Sequence, residues 1–456
     1  MADLTGTSAL SLPSLSLASG GVRYKNYPTS LSANTELVSD TYLMSANCDC
    51  NSYKLTFDCA AGSIVVKRSG DYYHTEQGAV DTTNSSATNK VYLTVLNDDT
   101  IGTILPGSTG SPAVSGGSWG NGTAIGNYHV VFNYLEIRWA DNKQFLNCGA
   151  GGTTYIRSVQ NVIWKNCVYS SVTAITLSTG SHASNAAQRF QADNSNTITG
   201  SASLLSIGLN CGLSYVYVQD GTTTSTAIVW VSGAPTGTVY SFIKIKNTGA
   251  GHGFATGFDS NKIIYVKHCM TSILGGSGPY KLLTYNCVFT DHAYGIQSNG
   301  SGSGAWVTLR VFGCIFKGLT TGCFTFNNYR GLLEACRDNI FDSNAKIIVS
   351  ASSGQYQTKN NAYYGNTSES SWSRGTYDAT ISNPSFGNFP NGTLHDDWIT
   401  YGPGDGWYTT QDLSTGADTN SFNSVDYTTQ SHTGIQETAT TQRLGIAPVF
   451  STLESA

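Results

Sequence analysis

The sequence predicts an all-β solenoid on three observations. A short apolar stretch ending in Asn-Cys recurs along the chain, the copies cluster near a 22-residue spacing, and the chain is poor in charge. Four copies are Phe145-Leu146-Asn147-Cys148, Val162-Ile163-Trp164-Lys165-Asn166-Cys167, Leu209-Asn210-Cys211 and Leu282-Leu283-Thr284-Tyr285-Asn286-Cys287. Degenerate copies end at Cys269, Cys314 and Cys336, and Ile243-Lys244-Ile245-Lys246-Asn247 keeps the Asn alone. A strand, a polar corner, then a strand opening on a small apolar residue describes one coil. The 50 glycines, 26 tyrosines and 12% charged residues exclude long solvent-facing helices. A net charge of −5 offers no basic face for nucleic acid.

Taken in order, residues 1–90 read as an N-terminal arm and capping or attachment region. Residues 1–22 hold no Lys or Arg, and Leu10, Leu12, Leu15 and Leu17 alternate with polar residues, which predicts a strand or extended arm and no export signal. That strand has no evident partner in the repeat, so it is expected to dock on another subunit or on a particle. No stretch reaches 18 apolar residues, so no membrane span is expected. Cys48-Asp49-Cys50 with Cys59 stands outside the repeat, where packing is expected and a local bridge or metal is the alternative.

Asp98 and Asp99 sit in a Gly-rich loop that would either bind calcium or cap the turn through Asx-type bonds. Residues 91–390 carry the coils. Asn147, Asn166, Asn210 and Asn286 are expected to form a corner ladder, each amide bonding its bend and its counterpart one coil away. Equivalent positions stack roughly 4.8 Å apart. Cys148, Cys167, Cys211, Cys269, Cys287, Cys314 and Cys336 are therefore expected as free thiols pointing inward. Insertions such as Ser298-Asn299-Gly300-Ser301-Gly302-Ser303-Gly304 read as loops bulging from a corner. No register is assigned between Asn210 and Asn247. From 391 onward, Trp398, Tyr401, Trp407 and Tyr408 lie beside Asp and Gly, as in a carbohydrate-stacking surface or an aromatic cap.

These coils resemble the right-handed parallel β-helix of the pectate-lyase-like superfamily. Leu96-Asn97-Asp98-Asp99 with Gly117-Ser118-Trp119-Gly120 resembles a loop-bearing coil of bacterial surface β-helices. Asn360-Asn361-Ala362-Tyr363-Tyr364-Gly365 resembles the last coils of such proteins. The resemblance implies fold more than activity, because this architecture carries lyases, hydrolases, adhesins and phage tailspikes. Catalysis on it needs a carboxylate cluster with calcium, or two carboxylates on neighbouring coils. Asp259, Asp291 beside His292, and Asp338 do not recur at equivalent coil positions, and His268 reads as a ladder member. The expectation is a structural and adhesive surface protein, a bacteriophage spike, fibre or decoration protein on the virion surface. It would assemble with itself, as a trimer, and with other surface proteins, and would bind a cell-surface glycan without a cofactor. The alternatives are a polysaccharide lyase or glycoside hydrolase, and a bacterial surface adhesin or filament subunit.

Overall fold

A computed structural model describes residues within 15–17, 23–116, 130–142, 146–148, 158–177, 186–207, 212–257, 262–298, 307–326 and 331–380, with short gaps. It also describes strands at 407–411, 435–438 and 441–446. The described residues are all-β, without helix, and their parallel sheets stack as a β-solenoid. The chain forms two compact units, one of Met1–Val168 with Ile175–His182, the other of Tyr169–Ala174 with Ala183–Ala456.

In the first unit parallel pairing already operates upstream of residue 91. Arg23–Asn26, Thr41–Met44, Ile64–Arg68 and Val91–Val95 pair in succession, while Thr35–Val38, Lys54–Asp58 and Ala79–Asp81 form a second row. Both rows meet on Val130–Arg138, which pairs onward with Ser158–Lys165. Lys54–Asp58 alternates inward and outward, as period-2 geometry requires. The register aligns Tyr42, Val66, Leu93, Ile137 and Trp164 as one buried column. Leu15–Leu17 pairs antiparallel with Arg23–Lys25, so the alternating segment has a partner inside its own chain. Leu10 and Leu12 lie outside the described residues.

The second unit carries three rows. One runs through Ala186–Ala192, Gly212–Thr223, Thr238–Asn247, Lys262–Lys267, Tyr280–Tyr285, Val307–Phe312 and Gly331–Arg337. A second runs from Ser203–Ile207 through Ala227–Ser232, His252–Gly257, Ile273–Gly275, Tyr294–Ser298 and Gly322–Phe326 to Ile348–Ser350. A third holds Val288–Phe289, Ile315–Lys317, Ile340–Asp342, Ala362–Tyr364 and Ala379–Thr380. Inside, Ile264, Leu282, Leu309 and Leu333 align, and so do Val229, Phe254, Ile273, Ile296, Phe324 and Ile348. Phe289, Phe316, Phe341 and Tyr363 stack with centroids 4.6, 5.1 and 5.3 Å apart and planes within 14°. Such pairs add about 0.5–1.5 kcal/mol each beyond their buried area. A bulge at Glu334 lets Leu309 face Leu333 while Arg310 faces Ala335, and Arg310 holds the extra residue through a two-pronged carboxylate bond at 2.9 and 2.8 Å.

The coil step is longer and less even than 22. Leu135 pairs with Val162 and Val216 with Ile243, each 27 residues on, whereas Ile264 pairs with Leu282 only 18 residues on. Strand length is set by the shared cross-section, and corners absorb the difference.

Candidate functional site

The corner that ends the long strands has a definite backbone requirement. Trp139 and Asn166 occupy equivalent positions, because Arg138 pairs with Lys165, and their φ angles are +56° and +53°. Asn tolerates this left-handed conformation best among non-glycine residues, and Gly313 meets the same need at +59° before Cys314. The next residue turns inward and must be small: Ala140 and Cys167 in the first unit, Cys269, Cys287 and Cys314 in the second, all buried. Registers place Cys269, Cys287, Cys314, Asn339, Asn361 and Asp378 in one column.

Halfway along, this column changes chemistry. Asn339 Oδ1 accepts the Cys314 backbone N–H at 2.8 Å, and Asn339 Nδ2 donates to Asn361 Oδ1 at 3.0 Å. Asn361 Nδ2 in turn donates to Asp378 Oδ1 at 3.1 Å. A parallel rung joins Asn344 Nδ2 to Asn366 Oδ1 at 2.9 Å. An amide ladder therefore exists among the described residues, and the rungs seen there are made by asparagines outside the Asn-Cys pattern. Asn147 and Cys148 lie within a strand of a different sheet, opposite Thr176 and Leu177, so they are not the counterpart of Asn166 and Cys167. Cys336 lies inside its strand opposite Val311, because the bulge at Glu334 moves Asn339 into the corner column. Asn210, Cys211 and Asn286 lie outside the described residues. Gly212–Thr223 begins directly after Cys211, whereas Asn166 and Cys167 follow their strand.

Nine cysteines have described side chains; none of these forms a disulfide and all are buried, Cys48, Cys50 and Cys59 included. Burial pushes the Cys167 thiol up to about 12 and those of Cys287 and Cys314 well above the usual range, reinforced at Cys287 by its bond with Cys269. Protonated thiols of this kind pack and do not react.

In the first unit Asp98 is fully buried. It accepts Thr94 Oγ1 at 2.6 Å and Thr100 Oγ1 at 2.5 Å, and Arg138 lies 3.2 Å away. Burial alone would raise its carboxyl; the Thr100 and Thr94 hydroxyls and Arg138 outweigh that and hold it below its usual value. Asp99 accepts Ser108 Oγ at 2.7 Å, and Asn97 Oδ1 accepts the Thr109 N–H. These are turn-capping bonds, and no group of three or more metal-binding side chains occurs among the described residues. Beside them Glu136 is ringed by Lys165 at 3.5 Å and Lys90 and Arg138 at 3.8 Å. The Lys67 amine is buried near Asp98 and Asp99 with no hydrogen-bond partner, and burial drives its pKa down against their attraction.

The second unit buries one arrangement with catalytic residue types. His292 Nε2 donates to the Ile245 carbonyl at 2.8 Å, which leaves Nδ1 to accept from Ser272 Oγ at 3.2 Å; Ser272 Oγ also accepts the Gly253 N–H at 2.9 Å. Ser272 and His292 are 1% and 4% exposed. The pair stitches coils together. Asp259, His268, Asp291 and Asp338 lie outside the described residues, as do Trp398 and Tyr401. Trp407 and Tyr408 open a strand that pairs antiparallel with Thr441–Ile446, and their side chains lie outside the described residues.

Two features escaped the sequence reading. Trp372 closes the aromatic stack: its ring lies 5.5 Å from that of Phe341, its Nε1 donates to Tyr363 Oη at 2.8 Å, and Tyr363 Oη donates to Asp378 Oδ2 at 2.8 Å. Trp230 stands on the outer face of the row through Ala227–Ser232 and is 36% exposed. Strand alternation around Val229 and Val231 is the signal that marks it as outward. Comparison with protein-family models, curated proteins and solved structures finds no match.

Proposed function

We propose that the chain is a structural and adhesive surface protein, a virion component of a bacterial virus (spike, fibre or decoration protein) that binds host glycans. The observation that carries this reading is the interior of the coils. Columns of thiols, amides and stacked aromatics suit a structural role, and Asp98, Asp342 and Asp378 are engaged by Arg138, Lys317 and Asn361 of neighbouring coils. Corner thiols that form no disulfide fit assembly in a reducing cytoplasm, as virus particles undergo, better than passage through an oxidising export route. Self-association through the N-terminal region, as a trimer, belongs to the same proposal.

Incubation with neutral and acidic polysaccharides tests it: binding without new reducing ends or unsaturated uronates is expected. Turnover above background would replace this reading by a polysaccharide lyase or hydrolase.

A further inference from the structure

The outer face of the second unit's first row gathers charge of one sign. Residues 244–359 hold 11 Lys and Arg against 5 Asp and Glu, whereas the whole chain holds 24 against 29. Three consecutive strands of that row, Tyr280–Tyr285, Val307–Phe312 and Gly331–Arg337, carry Lys281, Arg310 and Arg337 and a single acid, Glu334. Register sets the three cations on a diagonal. Lys281 pairs with Thr308, two residues before Arg310, and Arg310 pairs with Ala335, two residues before Arg337. Each step crosses one strand and advances two residues, so successive Cα atoms lie about 8 Å apart. Leu282, Leu309, Val311 and Cys336 alternate with these positions and are buried, so the diagonal lies on the outside. It is open to water: Lys281 is exposed, the Arg310 side chain is 40% exposed, and Phe312 and Arg337 are half-buried.

The face already holds one anion of its own. Arg310 grips the Glu334 carboxylate through Nε and Nη2 at 2.9 and 2.8 Å. That bond, with the attraction of Arg310 and Lys281, holds the Glu334 carboxyl below its usual value against partial burial. One acid therefore stands against three cations, and the surplus is positive. Phe312 lies between Arg310, two residues before it, and Arg337, its pair on the next coil. A ring set among cations suits an acidic sugar, whose C–H face packs on the ring while its carboxylate meets the charge. Three cations neutralise too few phosphates to hold a nucleic acid at ordinary salt. We propose that this diagonal is a binding surface for a carboxylate-bearing polysaccharide, with Lys281 and Arg337 facing its carboxylates and Phe312 packing on a sugar ring. This rests on the adhesive reading above and names the ligand class.

The test is calorimetric titration of the full chain with hexasaccharides of hyaluronan and polygalacturonate. Maltohexaose serves as the neutral comparison and a single-stranded DNA hexamer as the phosphate comparison. At least one acidic hexasaccharide should bind, and its affinity should fall as salt rises. Lys281→Glu should weaken binding about tenfold with an unchanged unfolding transition. Phe312→Ala should weaken it too, and Glu334→Gln should strengthen it by removing the competing carboxylate. Absence of binding by both acidic probes would overturn the proposal, as would wild-type affinity in Lys281→Glu. Tighter binding of the DNA would also overturn it, by marking the face as a phosphate surface. Cleavage of a bound acidic probe would defeat the adhesive reading while leaving the surface in place. Binding of maltohexaose alone would do the reverse, so the two failures are distinguishable.

Discussion

Cys314 sits where the inward column passes from thiol to amide. Its backbone N–H already bonds Asn339 Oδ1, and Asn339 relates to Asn361 as a residue at 314 would relate to Asn339. Cys314→Asn should therefore extend the ladder by one rung and leave stability within about 1 kcal/mol of wild type. Cys314→Leu should cost about 1–3 kcal/mol by overpacking. Denaturant titration of the two variants checks this, and equal losses would show that the column tolerates no amide there. Lys67 presents the opposite problem, a buried amine without a hydrogen bond. Lys67→Met keeps the volume and removes the desolvation cost, so a rise of about 1–3 kcal/mol is expected. A loss instead would mean that attraction to Asp98 and Asp99 outweighs burial.

At the scale of elements, the third row of the second unit is held at its end by the turn around Trp372. Trp372 is 8% exposed and packs against Phe324, Phe341 and Tyr363. Arg374 covers the Tyr363 ring at 4.2 Å and is itself fixed by Glu369 at 2.8 and 2.7 Å. Trp372→Ala should cost about 3–5 kcal/mol, because the indole leaves a cavity over the stack and the Tyr363 hydroxyl loses a donor. Chemical denaturation measures it. A cost below about 1 kcal/mol would show that closure of the stack depends on other residues.

For the molecule as a whole, two buried histidines set the acid response. Burial lowers His74 to about 3; burial, partly offset by the Gln297 bond, lowers His252 to about 4. Both stay neutral in the folded protein while the unfolded chain takes up protons near pH 6.5. Stability is thus fully present above about pH 6.5 and is lost as pH falls towards 4 at His252 and 3 at His74, by about 3 kcal/mol or more at each. Thermal unfolding followed from pH 7 to 4.5 should show a falling midpoint, and His252→Asn should flatten it. An unchanged midpoint across that range would refute neutral burial of these rings.

The sequence by itself determined the class of this protein. Period-2 alternation, low charge and a recurring polar corner before a small inward residue follow from strand geometry, and Asn166 before Cys167 obeys that rule in space. What only the tertiary structure decided is the register. Asn147-Cys148 repeats the motif inside a strand of another sheet. Asn339, Asn361 and Asn344 build the ladder without a following cysteine. The reason is that a dipeptide reports only local backbone preference, whereas pairing is chosen by whole rows of inward side chains, with corners and a bulge at Glu334 free to vary in length. The same holds for Trp230 and Trp372. One faces water and the other closes an aromatic stack, and that difference arises from which coils lie beside them.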